Sequence, residues 1–173
     1  GRGVSSPPAE GPVKKEGDLR SPAGIFELGG VYGTVPVPKK KRSMPYRRIT
    51  PRDMWVDDPS SPLYNQHFVL KHDPVTPWEF KQQMKLNDYA HSLKLFIRHN
   101  AAGDQGHPVA GGGSSIFFHI WRRDGQAPTA GCTAMSEENL RAMIAWLDPS
   151  KHPLYVLLPS REYLRLRKAW GLP

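Results

Sequence analysis

The chain has 173 residues, including 18 prolines and 16 glycines, and its 24 basic and 16 acidic side chains give a formal net charge of +8. This length fits one domain, residues 1–173, that can bury a core without disulfides or metal ions. The abundance of Pro and Gly argues against a helical bundle, because both residue types interrupt helices. No apolar run approaches the roughly 20 residues of a membrane helix, and no signal peptide is recognisable at the start.

The positive charge predicts attraction to an anionic partner, such as a nucleic acid, an acidic lipid or an anionic cell wall. The chain has one cysteine, Cys132, so an internal disulfide is excluded. That thiol is either buried and inert or a reactive group, and the residues around it have to decide between the two.

The first half is predicted as loops, two strands and one short helix. The elements in order are an irregular start (1–12), a strand (25–28), an exposed basic loop (34–53), turns (55–65), a helix that begins at Thr76-Pro77 and ends near Lys85, and an alternating strand (93–97). In that last strand, Leu93, Leu95 and Ile97 share one face, and Lys94 and Phe96 share the other.

The second half alternates strands with two helices. It reads as a Gly-rich loop (100–113), a strand (115–121), a short strand (131–135), a helix capped by Ser136 that ends at Asp148-Pro149, a buried strand (154–158) and a C-terminal helix (160–171). The expected fold class is therefore mainly β with a few α-helices.

Cys132 lies among small residues, Ala130, Gly131, Thr133 and Ala134. A substrate carbonyl could approach its sulfur without obstruction, and backbone N–H groups near Gly131 could face a developing oxyanion. Structural cysteines usually lie among larger apolar residues. This pattern therefore favours a nucleophile over an inert thiol.

A cysteine nucleophile needs a base, and His119 is the best of the seven histidines. It is the polar member of an aromatic face in Ser115–Trp121, on the strand that precedes the cysteine strand. The two strands are predicted to pair antiparallel, which would bring His119 near Cys132. The alternative is a partly buried histidine that hydrogen-bonds to a backbone carbonyl.

The remaining motifs are weak. Neither a zinc site nor a phosphate-binding loop is predicted, and no cofactor is expected. His67 could line a groove, whereas the other histidines are expected to be solvated: His72, His91, His99, His107 and His152. The basic run Lys39–Arg48 is interpreted as a solvated loop, with contact to an anionic polymer or a localisation signal as the alternatives.

Several ordered segments resemble the bacterial L,D-transpeptidases. Residues 14–28 (KKEGDLRSPAGIFEL) are similar to the family's K-x-E-G-D segment, and SIFFHIW followed by PTAGCTAMS is similar to its histidine strand and its x-G-C motif. Residues 55–65 and 86–100 resemble proteobacterial members of the family. The resemblance spans residues 11–158.

The resemblance implies a mechanism. Cys132 would be the nucleophile, His119 would accept and donate the proton, and the backbone of Ala130, Gly131 and Cys132 would form the oxyanion hole. The substrate would be a peptidoglycan stem tetrapeptide, which would form a thioester intermediate with Cys132. A second stem would resolve this thioester into a 3→3 type cross-link. Exchange of the terminal D-amino acid would be the other outcome. Six further residues are candidates for substrate binding: Ser114, Ser115, Trp121, Arg122, Thr129 and Thr133.

The chain also departs from the family. The common S-H-G-C-x-R motif stands here as Thr129-Ala130-Gly131-Cys132-Thr133-Ala134, without the second histidine and the arginine. Arg122, Arg123 or Arg141 could replace the arginine. The resemblance implies a β-sandwich or open barrel, and only about a dozen residues precede the K-x-E-G-D segment, so we expect the family's N-terminal strands to be missing.

Two alternatives stay open. The same fold could act as an L,D-carboxypeptidase or endopeptidase on the same stems, or it could be a non-catalytic module that binds the wall. We expect stem peptides and the anionic wall as partners, no nucleic acid, a monomer, and a location in the periplasm or cell envelope.

Overall fold

The structure is a computed structural model that describes residues 12–37, 43–101 and 107–173. Most of the irregular start, the centre of the basic loop and five residues of the Gly-rich loop lie outside the described residues. The strands are β1 (Gly24–Gly33), β2 (Tyr46–Arg48), β3 (Asp53–Trp55), β4 (His67–Val69), β5 (Leu93–Ile97), β6 (Phe117–Ile120), β7 (Thr133–Met135) and β8 (Leu154–Leu157). The α-helices are α1 (Pro77–Gln82), α2 (Glu137–Trp146) and α3 (Ser160–Leu166). The prediction of a mainly β fold with a few helices is confirmed.

The main sheet has the strand order β2–β1–β5–β6–β7, and β3 and β4 form a separate hairpin. The long strand β1 pairs with β8 over Gly24–Glu27 and with β5 from Leu28 to Gly33, with an irregularity between Leu28 and Val31. β5 and β6 are therefore the central strands of the sheet.

Both faces of β5 and β6 are covered, so every residue of the two strands is buried. Alternation along the strands sends side chains to opposite faces. One face packs with α2 in a core that includes Leu93, Leu95, Ile97, Ile116, Phe118, Ile120, Leu140, Ile144 and Leu147. The other face packs in an aromatic cluster of Ile49, Trp55, Met84, Phe96 and Phe117.

Helix α2 forms where the sequence predicts it. The Ser136 side chain accepts a hydrogen bond from the Asn139 N–H, and Glu137 and Glu138 lie in the first turn, where the helix dipole favours negative charge. Its apolar stripe buries Leu140 and Ile144 against β6.

The prediction that β6 and β7 pair antiparallel is wrong. They pair in parallel, with Phe118 opposite Thr133 and His119 opposite Ala134. A parallel pair needs a crossover rather than a tight hairpin. Residues 121–132 supply it, with a single 3-10 turn at Arg123–Gly125.

Several other boundaries differ from the predictions. The basic loop 34–53 contains β2, which pairs with β1 between the buried residues Met44 and Ile49, so a wholly exposed loop is wrong. Strands β3 and β4 are absent from the predicted elements, since three-residue strands carry little pattern. Helix α3 ends at Leu166 rather than Gly171, and β8 is partly exposed rather than buried. Within the described ranges, no helix is long and apolar enough to cross a membrane.

Replacing Leu140 by alanine tests the packing of α2 on the sheet. Leu140 is 0% exposed, so L140A should lower the free energy of unfolding by about 2–5 kcal/mol. Urea denaturation measures the loss. The control L164A removes a side chain that is 68% exposed and should change stability by only about 0.5 kcal/mol. Equal effects of the two variants would contradict this packing.

Candidate active site

The sheet places His119 and Cys132 on the same face. His119 lies opposite Ala134 in the parallel register of β6 and β7, and paired residues of neighbouring strands point to the same side. Cys132 is two residues before Ala134, and its side chain packs against the aromatic cluster that contains Phe117. Phe117 is two residues before His119, so the histidine and the cysteine are diagonal neighbours across the two strands.

The His119 ring is held by a hydrogen bond from one nitrogen, which leaves the lone pair of the other nitrogen free to accept a proton. The side chain is 2% exposed, and Nδ1 lies 2.7 Å from the carbonyl oxygen of Ile120. A carbonyl can only accept, so Nδ1 carries the proton and Nε2 keeps its lone pair. Burial lowers the pKa of His119, although the Ile120 carbonyl opposes the shift. The ring is therefore neutral near pH 7 and can accept a proton at Nε2.

Cys132 is half-buried, and its thiol donates a hydrogen bond to the Ser115 carbonyl with a sulfur–oxygen distance of 3.4 Å. Burial raises the pKa of the thiol. The Phe117 N–H and the positive charges of Lys94 and Arg122 lower that pKa in part. The resting group is a thiol, so a base has to remove its proton at the moment of attack.

The loop before the nucleophile depends on Gly131. Its φ of +131° lies where only glycine is unstrained, and a Cβ there would come 2.8 Å from the Arg20 carbonyl oxygen. The Thr129 hydroxyl donates to the Cys132 carbonyl at 2.7 Å and accepts from the Gly131 N–H at 3.3 Å. Thr129 therefore holds the loop, and the Gly131 N–H would have to leave it to bind an oxyanion. Ala130 is exposed.

The predicted substrate-binding residues do not all come together. Ser114 is buried, Trp121 is exposed, and Ser115 meets the thiol through its carbonyl rather than its hydroxyl. The Thr133 hydroxyl lies 3.0 Å from that of Tyr155. Thr133 pairs with Phe118, whose side chain belongs to the core on the α2 side, so Thr133 faces away from Cys132.

Asn65 connects the site to the rest of the fold. Its amide donates to the carbonyls of His99 and Asn100, and its oxygen accepts from the Trp55 indole at 2.9 Å and from the Ser115 N–H at 3.1 Å. Asn65 thereby fixes the residue whose carbonyl receives the thiol. From the sequence its segment is predicted only as turns, and no local pattern reveals a hydrogen-bonding hub that joins distant loops.

Two histidines differ from their predicted environment. His99 is predicted to be solvated, but it is 2% exposed and its Nε2 lies 2.9 Å from the Gly112 carbonyl oxygen. His91 is half-buried, and its ring stacks on that of His119 with a centroid distance of 4.7 Å. Over the part of the chain that the structure describes, no group of three or more metal-ligating side chains comes together.

Comparison with known proteins identifies the family of the chain. The family of L,D-transpeptidase catalytic domains (YkuD) matches residues 2–156. The chain belongs to this family. It is an L,D-transpeptidase-type catalytic domain, and the family acts on peptidoglycan. A search of curated proteins and a search of solved structures each give no match.

Among L,D-transpeptidase motifs, this one lacks the arginine that follows the cysteine, and the structure locates the candidates to replace it. Arg122 binds Asp88 through Nε at 2.9 Å, lies 3.2 Å from His91 Nδ1, and lowers the pKa of Cys132. Arg141 is paired with Glu137 instead, and Arg123 is exposed. Of the three, Arg122 is the one whose charge acts on the thiol.

The Gly131 conformation can be tested with two alanine variants. G131A forces a side chain into a strained backbone and against the Arg20 carbonyl, whereas a Cβ at Gly111, where φ is +72°, would meet nothing within 4 Å. We expect G111A to cost about 1 kcal/mol of stability and G131A about 3 kcal/mol or more. Thermal or urea unfolding measures both. Equal costs would show that the Gly131 turn is not constrained as described.

The lone cysteine allows the state of the thiol to be read directly. Because burial raises its pKa, alkylation of Cys132 by iodoacetamide at pH 7 should be slower in the folded protein than in the urea-unfolded chain. Between pH 6 and 7.5 the folded rate should rise by about tenfold per pH unit, because only the thiolate reacts. A folded protein that alkylates faster at pH 7 would contradict the buried thiol.

Proposed function

We propose that this L,D-transpeptidase domain is a cysteine acyltransferase that acts on peptidoglycan stem tetrapeptides through a thioester on Cys132. The observation that supports it is the placement of a thiol and a neutral imidazole on one sheet face, diagonal to each other, with the imidazole's Nδ1 tied to the Ile120 carbonyl. That arrangement leaves Nε2 as the proton acceptor.

In the acylation step, Cys132 Sγ attacks the carbonyl carbon of the third stem residue while His119 Nε2 takes the thiol proton. The tetrahedral intermediate collapses by breaking the amide bond to the terminal D-alanine. The leaving amine takes the proton from His119, and the acyl group stays on sulfur. Two easier steps thereby replace one amide exchange, and no ATP is consumed.

In the second step, the side-chain amine of another stem attacks the thioester carbonyl and loses a proton to His119 Nε2. The thiolate leaves and is reprotonated, and a 3→3 type cross-link remains. A free D-amino acid in place of the second stem would give exchange of the terminal residue. Water in the same position would give tripeptide and free thiol, which is the carboxypeptidase alternative.

The burial of His119 is compatible with these roles. The histidine has to reach a proton on the sulfur and on the attacking amine, but it does not have to touch the bulk solvent. Cys132 is the more exposed of the two, so the substrate would approach past the exposed Ala130 and meet the sulfur first.

The site of action would be the periplasm or cell envelope, since peptidoglycan is located there. The net charge of +8 would favour residence on an anionic wall. Fractionation of cells that express the full-length protein, followed by immunoblotting, tests this location.

Incubation with a disaccharide-tetrapeptide, analysed by mass spectrometry, tests the reaction. The parent protein should release D-alanine and form a cross-linked dimer or an exchanged product. C132A should form neither, and H119Q should lower kcat/KM by about 10²–10⁴-fold, because a neutral amide cannot serve as the base. H107Q is the matched control, since His107 is exposed, and it should retain the parent rate.

The outcomes separate the alternatives. If the parent forms tripeptide but neither the cross-linked dimer nor the exchanged product, the protein is a hydrolase and not a transferase. If the parent gives no product at all while C132A still binds purified sacculi, the protein is a wall-binding module and the proposal fails.

A further inference from the structure

Lys94 is a cation inside the sheet. It lies in β5, is 4% exposed, and pairs with His119 across the antiparallel ladder of β5 and β6. Its Nζ donates to the Met84 carbonyl at 2.9 Å and lies 5.5 Å from the centroid of the Phe117 ring. Lysine is almost never buried to this degree without an anionic partner, because desolvation of the ammonium group is costly.

Among the described residues, Lys94 lacks the carboxylate partner that a buried lysine usually has. Throughout the ranges that the structure describes, no carboxylate forms a salt bridge with Lys94. A carbonyl and an aromatic ring face satisfy the ammonium group only in part. The burial lowers the pKa of Lys94 to about 8, so the group is still largely protonated at pH 7.

The Cys132 thiol is the nearby group that the positive charge of Lys94 can stabilise in its ionised form. Phe96 and Phe117 are paired on the same face as Lys94 and His119, and Cys132 packs against the aromatic cluster that contains both phenyl rings. Lys94 and Cys132 therefore both lie beside this cluster, on one face of the sheet. The influence is mutual, because Lys94 lowers the pKa of Cys132, and a Cys132 thiolate raises the pKa of Lys94.

The other charged side chains near the thiol differ from Lys94 because they are paired with a group of opposite charge. Asp88 raises the pKa of Lys94, whereas Lys94 lowers those of the neighbouring His91 and His119. Arg122 and Lys14 also act on the thiol, but each is bound to a carboxylate, Asp88 and Asp18 respectively.

We propose that Lys94 is a positioning residue whose buried ammonium group stabilises the Cys132 thiolate as His119 removes the proton. The inference rests on the proposed function for its place in catalysis, but its effect on the thiol can be measured without substrate. Lys94 forms no bond to the substrate. It makes the anionic sulfur less costly at a site where burial favours the neutral thiol.

Three substitutions at position 94 separate charge from packing. K94M removes the charge and keeps the length, K94Q also keeps a donor for the Met84 carbonyl, and K94R keeps the charge. The control K151M removes an exposed lysine. The readout is the iodoacetamide alkylation rate of Cys132 from pH 6 to 10, with unfolding curves recorded for every variant.

We expect K94M and K94Q to raise the pKa of the thiol by about one unit and to slow alkylation at pH 7, where Lys94 is largely protonated, about tenfold. K94R and K151M should stay close to the parent. Folded K94M or K94Q that alkylates at the parent rate would overturn the proposal.

If neither neutral variant folds, the pH profile of the parent decides. Lys94 loses its proton near pH 8, so its positive charge no longer stabilises the thiolate above that pH. The alkylation rate of Cys132 should therefore rise less steeply with pH than a single thiol ionisation would give. A profile that fits a single ionisation would overturn the proposal.

Turnover gives a separate readout. If the parent cross-links stem peptides, K94Q should lower kcat with KM nearly unchanged, because Lys94 does not touch the substrate. If the parent shows no turnover, the proposed function fails, and the alkylation series still decides whether Lys94 stabilises the thiolate.

Discussion

The site depends on the burial of ionisable side chains within a sheet whose two faces are both covered. Alternation along β5 and β6 sends Lys94 and His119 to the aromatic face, where Trp55, Phe96 and Phe117 exclude water. The low polarity of that face works in opposite directions on the two catalytic candidates. It raises the pKa of the Cys132 thiol and lowers that of the His119 imidazole, so both groups rest in their neutral forms.

This pairing of neutral groups favours general-base chemistry over a preformed thiolate–imidazolium pair. The proton would move from sulfur to Nε2 as the carbonyl is attacked, so charge would develop only when a substrate is in place. Such a site protects a lone thiol from indiscriminate oxidation or alkylation, because the thiol is much less reactive than the thiolate. The disadvantage is that the buried thiol is harder to deprotonate. The positive charges of Lys94 and Arg122 offset this in part, because they lower the pKa of the thiol.

The elements with long patterns could be predicted from the sequence. The capped apolar stripe of α2 and the alternation of β5 indicate the right elements. That the small residues around Cys132 mark a nucleophile stays a prediction. The parallel pairing of β6 and β7 could not be predicted, because a crossover and a hairpin can share the same turn residues. Nor could the hydrogen bonds of Asn65 or the burial of Lys94, since these depend on contacts between segments that lie far apart in the chain.

The protonation state of the His119 ring is the most direct test of this chemistry, measured by ¹⁵N NMR of histidine-labelled protein, with H119Q to assign the signal. We predict a neutral ring at pH 7 with the proton on Nδ1 and a free Nε2. An imidazolium at pH 7, or a neutral ring protonated on Nε2, would contradict the proposed role, because the group that has to accept the thiol proton would already carry one.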